Sequence, residues 1–368
     1  MRISYGPEAF FQKYGGVTKY FLKLADGLAK KGHDVEIVAP LFVTKGLKTV
    51  SSARIKGLHV NAESKLSLWG IRTASILTGR AAITSQRPDI FHPTYYSLLD
   101  ALPSRLKTVV TVYDFVHEKF GGRSYAETKL TRLRKFATIN RADLILTISE
   151  NTRNDLLEFF PRINAASVVV TPLGVESNPA RPASGLPFKE DKILLWVGPR
   201  RRYKNFRVVV SAFRLLPKRI LEGCKLVVFG GEPLTMVEIK ELVASGLPVK
   251  NISQDFGDDA KLTELYCKAR ALLYTSKYEG FGLPILEAMA AGCPVICSSV
   301  SSMPEVAGDA ALLVDPEDPE HVAAAIKELL EVDATHSRLQ RRGLHRAALF
   351  SWDACVKQTE RAYLRVLD

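Results

Sequence analysis

The sequence predicts an α/β protein made of two parallel-sheet domains in tandem, and three observations lead there. Short apolar runs alternate with longer amphipathic runs along the chain, the order expected when helices cross between parallel strands. The alternation breaks at Asn178-Pro-Ala-Arg-Pro-Ala-Ser-Gly-Leu-Pro187, which reads as an interdomain linker, and then restarts. The length, 368 residues, lets each half bury a core of its own.

The first domain, 1–178, opens with a strand at Arg2–Tyr5 and a loop ending in Tyr14-Gly15-Gly16. A helix follows, because Val17, Tyr20, Phe21, Leu24 and Leu28 recur at helical spacing. Strands are expected near 35–39, 90–92, 108–112, 144–148 and 168–171, and helices near 68–86, 126–141 and 150–159. The second domain, 185–350, repeats the pattern with strands near 193–197, 225–229, 247–252, 271–274, 295–297 and 311–314. Its helices are expected near 205–216, 235–244, 259–269, 284–291 and 319–331. Two more helical segments, 335–349 and 352–367, close the chain. Trp69, Trp196 and Trp352 read as packing residues.

Hydrophobic residues at 46% and charged residues at 24% are ordinary for a globular protein. No run of eighteen apolar residues exists to span a membrane, and Met1-Arg-Ile-Ser-Tyr5 leads straight into a strand without a signal-peptide apolar region. The five cysteines (224, 267, 293, 297 and 355) contain no C-x-x-C pair, so reduced thiols in a cytoplasm are expected. Net charge is +12, of which residues 1–180 hold +10 and residues 181–368 hold +2. Lys129, Arg132, Arg134, Lys135 and Arg141 concentrate much of that excess, which suggests an anionic partner such as a membrane surface. In this reading Leu133, Phe136 and Ile139 face the core and the cations form a surface stripe. No zinc-finger spacing, RNP-like motif or helix-turn-helix text supports nucleic acid.

The most informative segment is Glu279-Gly-Phe-Gly-Leu-Pro-Ile-Leu-Glu287, two carboxylates eight residues apart around a glycine turn and a helix start. Gly280 and Gly282 let a ligand approach the main chain, and Pro284 suits a first helical turn. Gly292 suits the helix end. The amides of Phe281, Gly282 and Leu283 are then free donors at a positive helix end, flanked by two acceptors. Such a site fits a sugar joined to a ribose diphosphate.

The segment resembles the E-x7-E signature of retaining GT-B glycosyltransferases, especially glycosyltransferase family 4. The flanking text Tyr274-Thr-Ser-Lys-Tyr, Ala-Met-Ala-Ala-Gly-Cys-Pro-Val295, Pro304-Glu305-Val306 and Gly308-Asp309-Ala310-Ala311 matches as well. The resemblance implies two Rossmann-like domains facing a central cleft, an N-terminal acceptor domain and a donor domain, with the last helix crossing back to the first. It implies Glu279 as catalytic, Glu287 on the donor's ribose, and no metal; no Asp-x-Asp motif appears.

Gly198-Pro-Arg-Arg-Arg-Tyr-Lys204-Asn205-Phe206 follows a strand, where an open α/β sheet binds ligands, and resembles the family's loop whose Arg and Lys hold the donor diphosphate. Lys204 matches directly; Arg200 is the best match for the arginine, with Arg201 and Arg202 as competitors. Gly15 and Gly16 resemble the Gly-Gly loop that approaches the diphosphate from the other domain. Where many members place a sugar-contacting histidine, this chain has Tyr113, with Asp114 and His117 following, which leaves open which of them meets the sugar. The loop holding Phe256, Asp258 and Leu262 resembles the segment framing the nucleobase, although Asp258 also suits a plain N-cap.

The implied reaction moves a hexose, mannose or a related sugar, from a nucleotide-diphosphate sugar to a hydroxyl of a saccharide or lipid-linked acceptor with retained configuration, in surface polysaccharide synthesis. The nucleotide-sugar is a substrate and no cofactor is expected. GDP-mannose is the favoured donor, with a UDP-sugar as the alternative. A GT-B nucleotide-sugar epimerase, or a non-enzymatic saccharide- or nucleic-acid-binding protein on the same fold, are the competing readings. The expected location is the cytoplasm, with peripheral attachment to the inner face of the membrane.

Overall fold

The computed structural model describes residues 1–12, 15–61, 65–96, 106–121, 125–176 and 192–367. The expected linker lies outside the described residues. The chain divides into two units, Met1–Gly174 with Trp352–Asp368, and Val175–Ser351.

The first unit holds β1 (Arg2–Tyr5), β2 (Asp34–Phe42), β3 (Arg54–His59), β4 (Ile90–His92), β5 (Lys107–Val112), β6 (Leu144–Thr147) and β7 (Val168–Val170). They form one sheet in the order β3-β2-β1-β4-β5-β6-β7, every pair parallel. Strands buried on both faces must be apolar throughout, which is why β5 and β6 stand out in the sequence as continuous runs. The edge strand β3, Arg-Ile-Lys-Gly-Leu-His, was not expected. It is polar because it pairs only with β2, and charged edges resist further pairing. A Cβ on Gly57 would lie 1.7 Å from the Ala39 carbonyl oxygen, so only glycine permits the approach where the β2–β3 register shifts.

The helices of this part are α1 (Gly16–Lys30), α2 (Lys65–Gln86), α3 (Val116–Lys119), α4 (Tyr125–Arg141) and α5 (Glu150–Phe159). Helix α4 corrects the expected surface stripe. Lys135 is 1% exposed, whereas Leu130, Leu133 and Phe136 are 45–57% exposed; only Ile139 faces inward as expected. The cause is local: Lys135 Nζ donates to the Asp114 carbonyl and to Glu118 Oε2, both at 2.8 Å, and lies over the Phe115 ring. Those charge-assisted contacts fix the rotation of the helix and turn its apolar residues outward.

The second unit holds β8 (Lys192–Val197), β9 (Cys224–Phe229), β10 (Ile252–Asp255), β11 (Ala271–Tyr274), β12 (Val295–Ser298) and β13 (Ala311–Val314). Their order is β10-β9-β8-β11-β12-β13, again all parallel. Its helices are α6 (Phe206–Phe213), α7 (Lys218–Glu222), α8 (Met236–Ala244), α9 (Asp259–Lys268), α10 (Leu283–Ala290), α11 (Met303–Ala307), α12 (Pro319–Glu331) and α13 (Asp333–Ala348). The strand expected at 247–252 begins only at Ile252. Pro248 precedes a 3₁₀ turn at Val249–Asn251, and Asn251 Nδ2 donates to the Leu221 and Glu222 carbonyls. Trp196 and Trp352 are buried, but Trp69 is 67% exposed and packs nothing like a core residue.

The last helix, α14 (Trp352–Leu367), belongs to the first unit and packs on α1. The seat is a buried polar chain. Tyr363 Oη lies 2.6 Å from His92 Nδ1 and 3.2 Å from Tyr5 Oη; His92 Nε2 lies 3.0 Å from Thr111 Oγ1. At the rim, Glu360 pairs with Lys31 and His33. Burial lowers the His92 pKa to about 3, so the native ring stays neutral while the unfolded ring takes a proton near pH 6.5. The unfolded state therefore binds the extra proton, and stability is lost as pH falls below 6.5 toward 3. We expect about 1.4 kcal/mol of loss per pH unit from this group in that window. Denaturant melts against pH should show one fewer proton taken up on unfolding in His92→Asn than in the native chain.

Candidate active site

In the second sheet the chain leaves β8 toward β9 on one side and reaches β11 on the other, so the order reverses between β8 and β11. Ligands of open α/β sheets bind outside the carboxyl ends of the strands at such a point. The loop after β8 carries Gly198 to Asn205, and the loop after β11 carries Thr275 to Gly282. They meet there: Lys204 Nζ donates to Glu279 Oε1 at 2.6 Å, with both side chains 12% exposed. Lys204 Nζ also lies 3.3 Å from Tyr274 Oη and faces the Tyr274 and Tyr203 rings. Burial, then the charge of Glu279, hold the Tyr274 hydroxyl protonated, so it remains a donor.

Each loop is held by short-range chemistry. Asn205 takes a left-handed conformation, φ 58°, and its side chain donates to the Pro316 carbonyl. The Glu279 backbone is tied by two serines that sequence reasoning missed. Ser301 Oγ donates to the Glu279 carbonyl at 2.7 Å and accepts its amide, and Ser302 Oγ donates to the carbonyls of Glu279 and Phe281. No pattern around Ser301 and Ser302 marks that role in the sequence.

Of the two glycines expected to free the backbone, only Gly282 is left-handed, φ 98°, and it forms the N-cap of α10. Pro284 sits in the first turn, and Gly292 ends the helix with its amide on Met289 and the Cys293 amide on Ala288. Among the described residues no acceptor takes the amides of Phe281, Gly282 and Leu283. Glu287 lies one turn inside α10, where Tyr266 donates to its Oε2 at 3.5 Å.

Arg200 is held elsewhere. Its Nε donates to Glu238 Oε1 at 2.6 Å, and Nη2 donates to the Glu232 and Pro233 carbonyls. Burial opposes ionisation of Glu238, but hydrogen bonds from Arg200 and Thr235 overcome it and lower the pKa. Arg200 thus fastens the loop after β9 to the start of α8, while its competitors Arg201 and Arg202 are exposed. Gly198, φ 110°, is the turn leaving β8. Phe256 is 52% exposed beyond β10; Leu262 is half-buried on α9, whose N-cap is Asp258, accepting from the Lys261 amide.

The remaining predicted residues lie in the first unit. Gly15 and Gly16 open α1, both exposed, and a Cβ on Gly16 would meet only open space. Tyr113 is buried, with its hydroxyl on the Thr94 carbonyl at 3.4 Å. Asp114 Oδ1 accepts the Val116 amide, and His117 is half-buried on α3 with Nδ1 unpartnered. Among the described residues no three His, Cys, Asp or Glu side chains gather as a metal site requires.

Two parallel α/β units with this loop pair define the class, and comparison with known proteins agrees: the chain belongs to the glycosyltransferases of family 4 and group 1. The family described as Glycosyltransferase Family 4 matches residues 14–178, and that described as Glycosyl transferases group 1 matches residues 178–346. The chain is 34% identical over 294 residues to the O-antigen chain mannosyltransferase B of Escherichia coli, covering 77% of this chain and 76% of that protein. It is 26% identical to the MMP alpha-(1->4)-mannosyltransferase of Mycolicibacterium hassiacum, covering 96% and 95%. Among solved structures, sucrose-phosphate synthase from Thermosynechococcus elongatus superposes with a TM-score of 0.73 at 21% identity over 99% of this chain and 98% of that one. Anabaena HepE in complex with UDP-glucose gives 0.71 at 13% identity, over 98% of each chain. These likenesses establish the GT-B fold.

The geometry separates Arg200 from Lys204. Arg200→Ala leaves Glu238 and two carbonyls without their donor, and should lower unfolding stability by about 2 kcal/mol, allowing for the partial exposure of Glu238. Lys204→Ala strands Glu279, which is 12% exposed against 25% for Glu238, and should cost at least as much; paired denaturant melts of the two variants check the order.

Proposed function

We propose that this glycosyltransferase moves mannose from a nucleotide-diphosphate sugar, GDP-mannose before a UDP-sugar, to a hydroxyl of a saccharide or lipid-linked acceptor, with retained configuration. The observation that carries the reading is the Lys204–Glu279 pair at the switch point, beside the free amides that open α10. The mannosyltransferase relatives favour the sugar. In the reading, Lys204 turns from Glu279 to the diphosphate, with Arg201 or Arg202 adding charge, and Glu279 is released to the sugar. Glu287 takes the ribose, and Phe256 and Leu262 border the base.

The bond from the anomeric carbon to the leaving diphosphate oxygen breaks as the bond to the acceptor oxygen forms on the same face. The acceptor proton passes to a donor phosphate oxygen, so no side-chain nucleophile is needed. Charge growing on the leaving group is met by Lys204 and the amides of Phe281, Gly282 and Leu283. Of the two first-unit residues, the Tyr113 hydroxyl is engaged internally and His117 keeps an unpartnered Nδ1. Peripheral membrane attachment belongs to the same reading, through the outward Leu130, Leu133 and Phe136 of α4 beside exposed Lys129 and Arg132.

Calorimetry with GDP and GDP-mannose tests the donor site. Lys204→Ala should weaken GDP by roughly 2 kcal/mol, and Glu287→Ala should weaken it too. Glu279→Ala should leave GDP affinity near normal while reducing turnover. Wild-type GDP affinity in Lys204→Ala would sink the assignment, and product anomer analysis by NMR decides retention. For attachment, flotation with anionic liposomes should recover the protein, with a part that survives high salt and disappears in Leu133→Gln/Phe136→Gln. Equal recovery on neutral lipid, or no loss in that variant, would count against it.

A further inference from the structure

Phe281 sits in the loop that leads into α10, between Gly280 and Gly282. Glycine on each side restricts the local backbone little, so contacts from elsewhere must set the direction of the amides of Phe281, Gly282 and Leu283. The hydroxyls of Ser301 and Ser302 supply one set of contacts, through the carbonyls of Glu279 and Phe281. The Phe281 ring supplies the other. It is 3% exposed and meets the Phe350 ring in an edge-to-face contact, centroids 6.0 Å apart with 71° between the planes.

Phe350 follows α13 and is itself held. Arg346 lies over its ring, the guanidinium carbon 4.9 Å from the centroid. That guanidinium donates through Nε to the Val306 carbonyl and through Nη2 to the Glu305 carbonyl. The approach requires Gly308, where φ is 56° and a Cβ would lie 3.2 Å from Arg346 Nε. The Phe350 carbonyl accepts the Val175 amide at 2.8 Å, and Ser351 pairs with Val175 in a β-bridge. Helix α13 is seated on α10: Gln340 Nε2 donates to the Gly292 carbonyl, and a Cβ on Gly343 would come 3.1 Å from Met289 Cγ.

These contacts close a circuit. Ser301 and Ser302 stand just before α11, and Glu305 and Val306 lie near its end. One short helix therefore joins the backbone anchor of the loop to the seat of Arg346, and Phe350 returns the circuit to the Phe281 ring. Resting on the transferase reading, we propose that Phe350 is a positioning residue for the transfer step. Through the Phe281 ring it aims the amides that open α10 at the diphosphate oxygen on which charge grows, and Arg346 keeps it in place. Such amides act most in the transition state, whereas Lys204 supplies charge to the bound diphosphate throughout. Misaiming the amides therefore costs turnover more than binding.

Turnover is read as GDP release from GDP-mannose by the full chain, with methyl α-mannoside as the acceptor. In Phe350→Ala, kcat should fall about tenfold while the GDP dissociation constant rises less than about threefold. Phe350→Tyr, which keeps the ring, should recover most of kcat, and Arg346→Gln should lower it by a smaller factor. Hydrogen exchange over residues 278–290 of the ligand-free chain should quicken about fivefold in Phe350→Ala and return in Phe350→Tyr. Phe350→Leu takes the place of Phe350→Ala in each comparison if that variant does not fold. Native kcat or unchanged exchange in Phe350→Ala would overturn the proposal. Equal loss of kcat and GDP affinity would overturn it too, since general loosening of the unit gives that result. A native chain that releases no GDP would refute the donor of the transferase reading, and the exchange comparison would still decide whether Phe350 anchors the loop.

Discussion

Parallel pairing is the constraint from which the rest follows. Every strand of each sheet runs the same way, so each strand's carboxyl end lies at one edge and every loop leaving it shares that edge. The chain cannot turn back directly between such strands, and each crossing needs a helix. Residues far apart in sequence therefore meet: Lys204 and Glu279 stand 75 positions apart, and Glu8 and Thr94 stand 86 apart. Both pairs sit where strand order reverses, the place where neighbouring loops diverge and leave room for a ligand.

The Lys204–Glu279 pair has an energetic side as well. Two charges with so little exposure lose hydration, and their attraction offsets that loss only while they stay together or find substitutes. A phosphate offered to Lys204 and a sugar hydroxyl offered to Glu279 are such substitutes. The pair holds both side chains where the two loops meet. The backbone under Glu279 is fixed by Ser301 and Ser302 rather than by the pair, so exchange of partners leaves the loop in place.

Much of this was legible in the sequence, and the limits have physical causes. Apolar strands buried on both faces, such as β4 and β11, and helices with clear caps, such as α5 after Ser149 and α12 after Asp318, appear within the expected bounds. Edge elements were harder: β3 is polar, and β10 begins later than its apolar run because Pro248 starts a turn. Helix α4 misled because a buried lysine reverses the usual meaning of its apolar positions. In the candidate site, Glu279, Glu287 and Lys204 were singled out by their motif text. The partner of Arg200 and the serine ties are contacts between distant segments, which no local pattern records.

The seating of α14 has a consequence for the order of synthesis. Tyr5 and Tyr363 touch across 358 positions of chain, so the first unit lacks its closing helix until Trp352–Leu367 has left the ribosome, after the whole of the second unit. Until then His92 and Tyr5 lack their partner, Tyr363, in the interior of the sheet, and the face of α1 that receives α14 stays uncovered. The second unit, contiguous from Val175 to Ser351, meets no such delay. The half made first is therefore finished last.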